Sequence, residues 1–279
     1  MSLSDGNMKV NINNNVTYLT FPVYDNLSFI KHCFSTRLGG VSKGIFESMN
    51  LSFNRGDADE NVKENYIRIS KAIGVNPYNL VFSAQDHHTY IRTVTEKDKG
   101  IGIWRNKDMQ SVDGLITNTP GLVLVTHYAD CVPLYFVDPI KKVIGLAHAG
   151  WRGTAAKIGC KMVSELNKQF SCNAKDLLCA IGPSIGKCCY EVDKACCDEF
   201  MKIDEIDKQS CIFPKDNGKF YLDLWEINRQ LLISAGVLAE NITVANICTR
   251  CNSDTLFSHR ATGCKRCGLA AFLSICRCV

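Results

Sequence analysis

A chain of 279 residues, 46% hydrophobic and 22% charged, has the composition of a globular protein able to bury one large core. Its 32 basic and 28 acidic residues leave a net charge of +4, too even a balance for a nucleic-acid coat or a membrane surface. No apolar run approaches the roughly 20 residues that span a bilayer.

The opening MSLSDGNMKVNINNN is polar and lacks the apolar core of a secretory leader. Residues 1–15 are therefore expected to be a flexible N-terminus, and residues 16–279 a single domain in the cytoplasm. Sixteen cysteines would suggest a disulfide framework in a small secreted chain. Here Cys160, Cys172, Cys179 and Cys211 lie inside apolar or helical patterns and read as reduced thiols.

Val16–Val23 and Leu27–Phe34 read as strands, followed by a polar turn, Ser35 to Ser42, whose paired glycines allow close backbone approach. A helical repeat opens at Asp59, runs through Val62, Tyr66, Ile69 and Ile73, and ends at Gly74. A short strand from Leu80 meets the polar cluster Gln85-Asp86-His87-His88, and Thr89–Val94 reads as another strand. Residues 96–112 read as an exposed loop. Three short β-branched runs follow, Leu122–Val125, Val132–Val137 and Val143–Ala147, each too short for a typical helix. Asp130 and Cys131 come after the first of these and His148 after the third, and the turn Gly150–Thr154 opens a helix. A packed core needs none of those polar groups, so this stretch reads as a site.

Beyond it, Thr154 is expected to cap a helix carrying Ala155, Ile158, Met162, Leu166 and Phe170. A strand over Leu177–Ile181, a helix over Asp193–Met201 and a polar loop over 203–218 come next. Asp223 caps another helix that Gly236 ends, and Ile242–Ile247 and Leu269–Ile275 are late strands around Phe257-Ser258-His259-Arg260. No repeat or linker divides the chain.

A thiolate and imidazoles are zinc ligands, and catalytic zinc sites use about three protein ligands with one open position. Cys131 and His148 supply two, and His87 or His88 the third, since neighbours in an extended chain face opposite ways. Water in such a site becomes acidic near pH 7. The Gly150–Thr154 turn with Arg152 favours an anion such as phosphate, and Arg37 and Arg260 are further candidates. A competing signal is Cys248-x2-Cys251 followed after 12 residues by Cys264-x2-Cys267, close to zinc-ribbon spacing.

Several motifs extend this set: Thr36-Arg37-x-Gly39-Gly40, Gln85-x-His87, Ala129-Asp130-Cys131-Val132-Pro133 and His148-Ala149-Gly150-Trp151-Arg152-Gly153. Gly182-Pro183-x-Ile185-Gly186, Cys189-Tyr190-Glu191-Val192, Cys248-Thr249 and Phe257-Ser258-His259-Arg260 complete it. With these, the chain from about Phe34 to Leu273 resembles the YfiH-like family of laccase-type polyphenol oxidases. Members of that family are described as purine nucleoside phosphorylases with adenosine deaminase activity.

The resemblance implies an α+β fold, a single domain with mixed β-sheets packed together and flanked by helices. It implies one Zn2+ held by His87, Cys131 and His148. The substrates it implies are phosphate and a purine nucleoside: adenosine, inosine, guanosine or methylthioadenosine. Asp130, Glu191 and His88 are then the candidates for moving protons, and Arg37, Arg152 and Arg260 for binding phosphate. Alternatives are a Cys–His hydrolase with Cys131 as nucleophile and His148 as base, and a non-catalytic metal-binding protein using the C-terminal CxxC pairs. Multicopper chemistry needs many histidine ligands, and this chain has six histidines, two of them adjacent.

Overall fold

The computed structural model, which describes residue 3, residues 6–263 and residues 268–276, turns the central apolar runs into strands buried on both faces. In chain order the first strands are β1 (Lys9–Asn13), β2 (Val16–Thr20), β3 (Ile30–Ser35), β4 (Leu80–Phe82), β5 (Tyr90–Thr93), β6 (Val112–Thr117) and β7 (Val123–Tyr128). They are followed by β8 (Val132–Asp138), β9 (Val143–Ala149), β10 (Leu178–Ile181), β11 (Glu191–Val192), β12 (Ile212–Pro214), β13 (Phe220–Leu222), β14 (Ile242–Val244) and β15 (Leu269–Ile275). The helices are α1 (Asp59–Ile73), α2 (Trp151–Ala155), α3 (Ile158–Phe170), α4 (Lys194–Met201), α5 (Lys208–Cys211) and α6 (Leu224–Ser234).

Two six-stranded mixed sheets form, in the orders β1-β2-β3-β15-β7-β4 and β14-β10-β8-β9-β6-β5, beside a small sheet β11-β13-β12. The period of two along each strand assigns the faces. Leu124 and Tyr128 of β7, Leu269, Ala271 and Leu273 of β15, and Tyr135, Ile144 and Leu146 of the second sheet share one core between the sheets. The alternate residues Val123, Val125 and Phe272 pack instead with Val62, Tyr66 and Ile69 of α1. Leu134, Phe136 and Val143 pack with Ile158, Met162, Leu166, Ile227 and Leu231 of α3 and α6. The result is the expected α+β domain, with mixed sheets face to face and helices on both outer sides. Burial on both faces explains why these strands read as continuous apolar runs. Among the described residues no helix is long and apolar enough to cross a membrane.

Four local expectations change. Lys9–Asn13, placed by the sequence in the flexible N-terminus, pairs antiparallel with β2 as β1. Residues 96–112 are not simply an exposed loop, because Asp98, Ile101 and Ile103 are buried. The 203–218 segment contains α5 and β12, and Ile203 and Ile206 are buried. Thr154 caps nothing: it lies inside α2, whose N-cap is Gly150, and α3 starts afresh after Lys157 at φ 58. The short α2 turn thus keeps Gly150 and Trp151 against the end of β9, where the site forms.

Candidate metal centre and its cleft

Twice the chain passes from the first sheet to the second near the same edge. The connection from β4 to β5 carries His87, and the connection from β7 to β8 carries Cys131; His148 is the penultimate residue of β9. The donor atoms of His87, Cys131 and His148 all lie within 4.8 Å of one another. Cys131 Sγ is 3.9 Å from His87 Nε2, and the His87 and His148 rings meet edge to face with centroids 4.9 Å apart.

Asp113, to which the sequence reading gave no role, organises this centre. The antiparallel register Gly114↔Ala147 extends to set Asp113 opposite His148. Its buried Oδ1 accepts from His148 Nδ1 at 2.7 Å, which leaves Nε2 as the donor turned to a metal. The same carboxylate accepts the backbone N–H groups of Asp86, His87 and His88 at 3.2, 3.2 and 3.0 Å. That clamp holds His87 at φ 72, a left-handed conformation that costs a non-glycine residue on the order of 1–3 kcal/mol.

Asp130, at φ 90, is fixed in the same way. Its Oδ1 accepts from Thr249 Oγ1 at 2.6 Å and its Oδ2 from the Arg260 backbone N–H at 2.7 Å. This carboxylate positions Cys131 and the late Phe257–Arg260 segment, with both oxygens already engaged.

Burial alone would lower the His148 pKa and raise that of Cys131. The attraction between the two charges, with Asp113 behind His148, overrides burial: His148 rises to about 9 and the Cys131 thiol falls to about 6. Once a metal displaces the His148 proton, the thiolate and two imidazoles form a donor set suited to a soft divalent ion. The backbone leaves room for it at Gly150. A Cβ there would stand 2.7 Å from His87 Cδ2 and 3.3 Å from Cys131 Sγ, so only glycine lets α2 begin this close to the donors.

The centre forms the floor of a cleft of about 990 Å3. Rings of Phe53, Phe82 and Trp104 line it, with the cations Arg55, Lys63, Arg105 and Lys107. His127 and His259 also face it; the sequence reading placed His259 in the Phe257–Arg260 motif without assigning it a role and did not single out His127. For His127 the available signal was a lone imidazole in an apolar strand. Gln85 brackets its backbone, accepting from its N–H at 2.7 Å and donating to its carbonyl at 2.8 Å. Tyr66 donates its hydroxyl to Leu51 O at 2.6 Å, so His127 Nε2–H must be the donor in the 2.7 Å contact with Tyr66. Burial, with Lys107 adding to it, holds His127 neutral down to about pH 3, with Nδ1 left as the acceptor.

The remaining candidates are placed elsewhere. His88 is exposed and bonded to Asp86 at 2.7 Å, and it does not line the cleft. Hydrogen bonds from Lys215 and Lys219 hold the Glu191 carboxyl down at about 2, so it stays ionised. Arg37 donates to Glu47 O and Ser253 O at 2.7 and 2.9 Å and covers the Phe257 ring. Arg152 stacks on Trp151, while Arg260 lies over Tyr190 and donates to Glu191 O at 3.0 Å. None of the three arginines is among the residues lining the cleft, whose cations are Arg55, Lys63, Arg105 and Lys107. Cys264 and Cys267, and Arg266 with them, lie outside the described residues.

A two-sheet sandwich with a two-histidine, one-cysteine centre at the crossovers defines the class of protein. The chain belongs to the family described as multi-copper polyphenol oxidoreductase laccase, whose model matches residues 31–276. It is 35% identical to the purine nucleoside phosphorylase YlmD of Bacillus subtilis (strain 168), across 81% of this chain and 82% of that protein. It is 31% identical to the adenosine deaminase RL5 of an unknown prokaryotic organism, across 82% and 88%. The crystal structure of the Bacillus licheniformis hypothetical protein YfiH superposes with a TM-score of 0.90 at 32% identity, covering 95% of this chain and 98% of that one.

Proposed function

We propose that this chain is a zinc-dependent purine nucleoside phosphorylase with adenosine deaminase activity, acting on adenosine, inosine, guanosine or methylthioadenosine. The observation that carries the reading is the convergence of His87, Cys131 and His148 on the floor of a cleft walled by rings and cations. Relatives named for each of the two activities support it. Three protein donors with one position open suit catalytic zinc. His87, Cys131 and His148 would hold the zinc, which when bound would supply Lewis-acid polarisation and a water acidic near neutral pH.

The chain's own residues do the rest. Phe53, Phe82 and Trp104 offer faces for a purine ring, and Arg55, Lys63 and Lys107 offer charge to phosphate. In phosphorolysis a phosphate oxygen replaces the purine at C1′, and the departing purine takes up a proton. In deamination water replaces the C6 amino group, which leaves as ammonia. Both need a group that moves a proton; besides the two histidine donors the cleft is lined by His259 and by His127, and with His127 held neutral down to about pH 3, His259 is the better candidate. The test is metal analysis of protein purified without added metal, alongside a nucleoside panel with and without phosphate. Zinc with phosphate-dependent release of purine is the expected result; copper with phenol oxidation, or no nucleoside turnover, would overturn the reading.

Lys107→Ala is expected to raise the phosphate KM by about tenfold, the worth of one charge-assisted hydrogen bond. Adenosine deamination, which uses no phosphate, should stay near wild type. Loss of both activities in parallel would place Lys107 in the scaffold, where it already donates to Ser83 O at 2.9 Å.

One observation favours a second reading. Asp113, His148 and Cys131 stand in the order of orienter, base and nucleophile. A Cys–His hydrolase has no use for His87 at 3.9 Å from the same sulfur, and a metal centre does. Alkylation separates the two. A metal-held thiolate resists iodoacetamide until a chelator is added, whereas a free nucleophile reacts at once. Rapid labelling mapped to Cys131 in fully metallated protein would favour the hydrolase.

A further inference from the structure

Outside the cleft, four cysteines meet from two distant parts of the chain. Cys188 and Cys189 follow the Gly182–Gly186 turn, and Cys248 and Cys251 follow β14. Their sulfur atoms all lie within 4.8 Å of one another. Cys251 Sγ is 3.6 Å from Cys188 Sγ and 3.5 Å from Cys189 Sγ.

We propose that Cys188, Cys189, Cys248 and Cys251 hold a second zinc ion in a closed, structural tetrathiolate site. A tetrahedron with Zn–S near 2.3 Å has sulfur–sulfur edges of about 3.8 Å, close to the separations seen here. Disulfides fit less well. Cys251 is almost equally close to two partners and could bond only one, and an S–S bond needs a separation of about 2.05 Å. An iron–sulfur cluster fits less well too, because thiolates this close leave no room for its iron and sulfide atoms. Apolar packing accounts for Cys189 and Cys248, which are buried, but not for Cys188 and Cys251, which are exposed. The Gly186 backbone N–H points at Cys248 Sγ at 3.3 Å, a contact that supports a ligating thiolate.

The CxxC spacing of Cys248 and Cys251 pointed to a metal, but their partners in this arrangement are the vicinal pair Cys188-Cys189. The position suggests what the ion does. Ser184 and Cys248 form a parallel bridge, and the Thr249 N–H donates to Ser184 O at 3.0 Å. The Ile185 N–H donates to Asp130 O at 2.9 Å, and Thr249 Oγ1 bonds the Asp130 carboxylate. A metal here would staple these segments together directly behind Asp130 and Cys131, with Tyr190 held beneath Arg260. It would be a positioning element for the catalytic centre, touching no substrate.

The test counts zinc by mass spectrometry in protein purified without added metal. Wild type should carry two ions per chain. His148→Asn, which keeps an N–H for Asp113 but loses Nε2, should carry one, Cys251→Ser one, and the double variant none. His87→Ala serves in place of His148→Asn if that variant does not fold. Cobalt loaded into the His148→Asn protein should give the intense near-ultraviolet sulfur-to-metal absorption of several thiolates, a readout that needs no cysteine variant. A single ion in wild type that His148→Asn abolishes would overturn the proposal and leave the catalytic reading intact. So would a Cys188–Cys251 or Cys189–Cys251 disulfide found by peptide mass. A zinc ion that survives His148→Asn and is lost with Cys251 would support it whatever the nucleoside panel shows.

Discussion

On the proposed reading, His148→Asn is expected to lower phosphorolysis and deamination at least about a thousandfold, since it would remove a ligand from the metal assigned to that centre. Asparagine keeps an N–H near the position of Nδ1, so the 2.7 Å bond to the buried Asp113 carboxylate can survive. The denaturant midpoint should therefore stay near wild type while the zinc of this centre is lost. His148→Ala gives the contrast. It strands Asp113, a fully buried carboxylate, and a buried charge deprived of its partner costs about 3–5 kcal/mol. Wild-type turnover in a folded His148→Asn protein would show that His148 is no ligand.

Asp113→Asn should be the most informative change that touches no substrate. The carboxylate accepts from four donors, the His148 ring and three successive backbone N–H groups. An amide presents N–H where an acceptor is needed, turning the His148 ring and loosening the loop that bears His87. Zinc affinity should fall by about 10–100-fold, the usual effect of losing such an orienting partner. Chelator competition measures it directly. Added zinc should restore part of the activity to Asp113→Asn and none to His148→Asn. Unchanged affinity would reduce Asp113 to a packing role.

The strands were legible because their burial on both faces writes itself into the sequence as β-branched runs. Cys131 and His148 were legible as reactive groups where such runs end. The choice of His87 over His88 was not, on residues alone. The alternation argument assumes extended backbone, and the Asp113 clamp puts His87 at φ 72 instead. Asp113 itself carried no local signal, since its role depends on a strand register 35 residues away. The surroundings of the arginines were hidden for a related reason. Arg37 is tied to the carbonyl of Ser253, 216 positions along the chain, and nothing near Arg37 announces that partner. The cations of the cleft come from segments that read as irregular loop or surface helix, so their convergence belongs to the tertiary fold. The break at Lys157 was likewise hidden, because the apolar spacing runs from Ala155 to Phe170 as if one helix carried it.

The placement of two donors on sheet crossovers and the third in β9 also bears on how the protein comes to life. His87 and Cys131 are 44 residues apart in sequence, and between them runs most of what joins one sheet to the other. Closing a loop of that length is slow and is rewarded only once the two sheets have docked. No local fragment of the nascent chain presents the full donor set, so the ion cannot serve as the nucleus around which folding begins. A metal would then enter an assembled sandwich in which Gly150 and the Asp113 clamp already set the space and the angles. In such a site the geometry of a finished cage, rather than raw affinity alone, would select the ion.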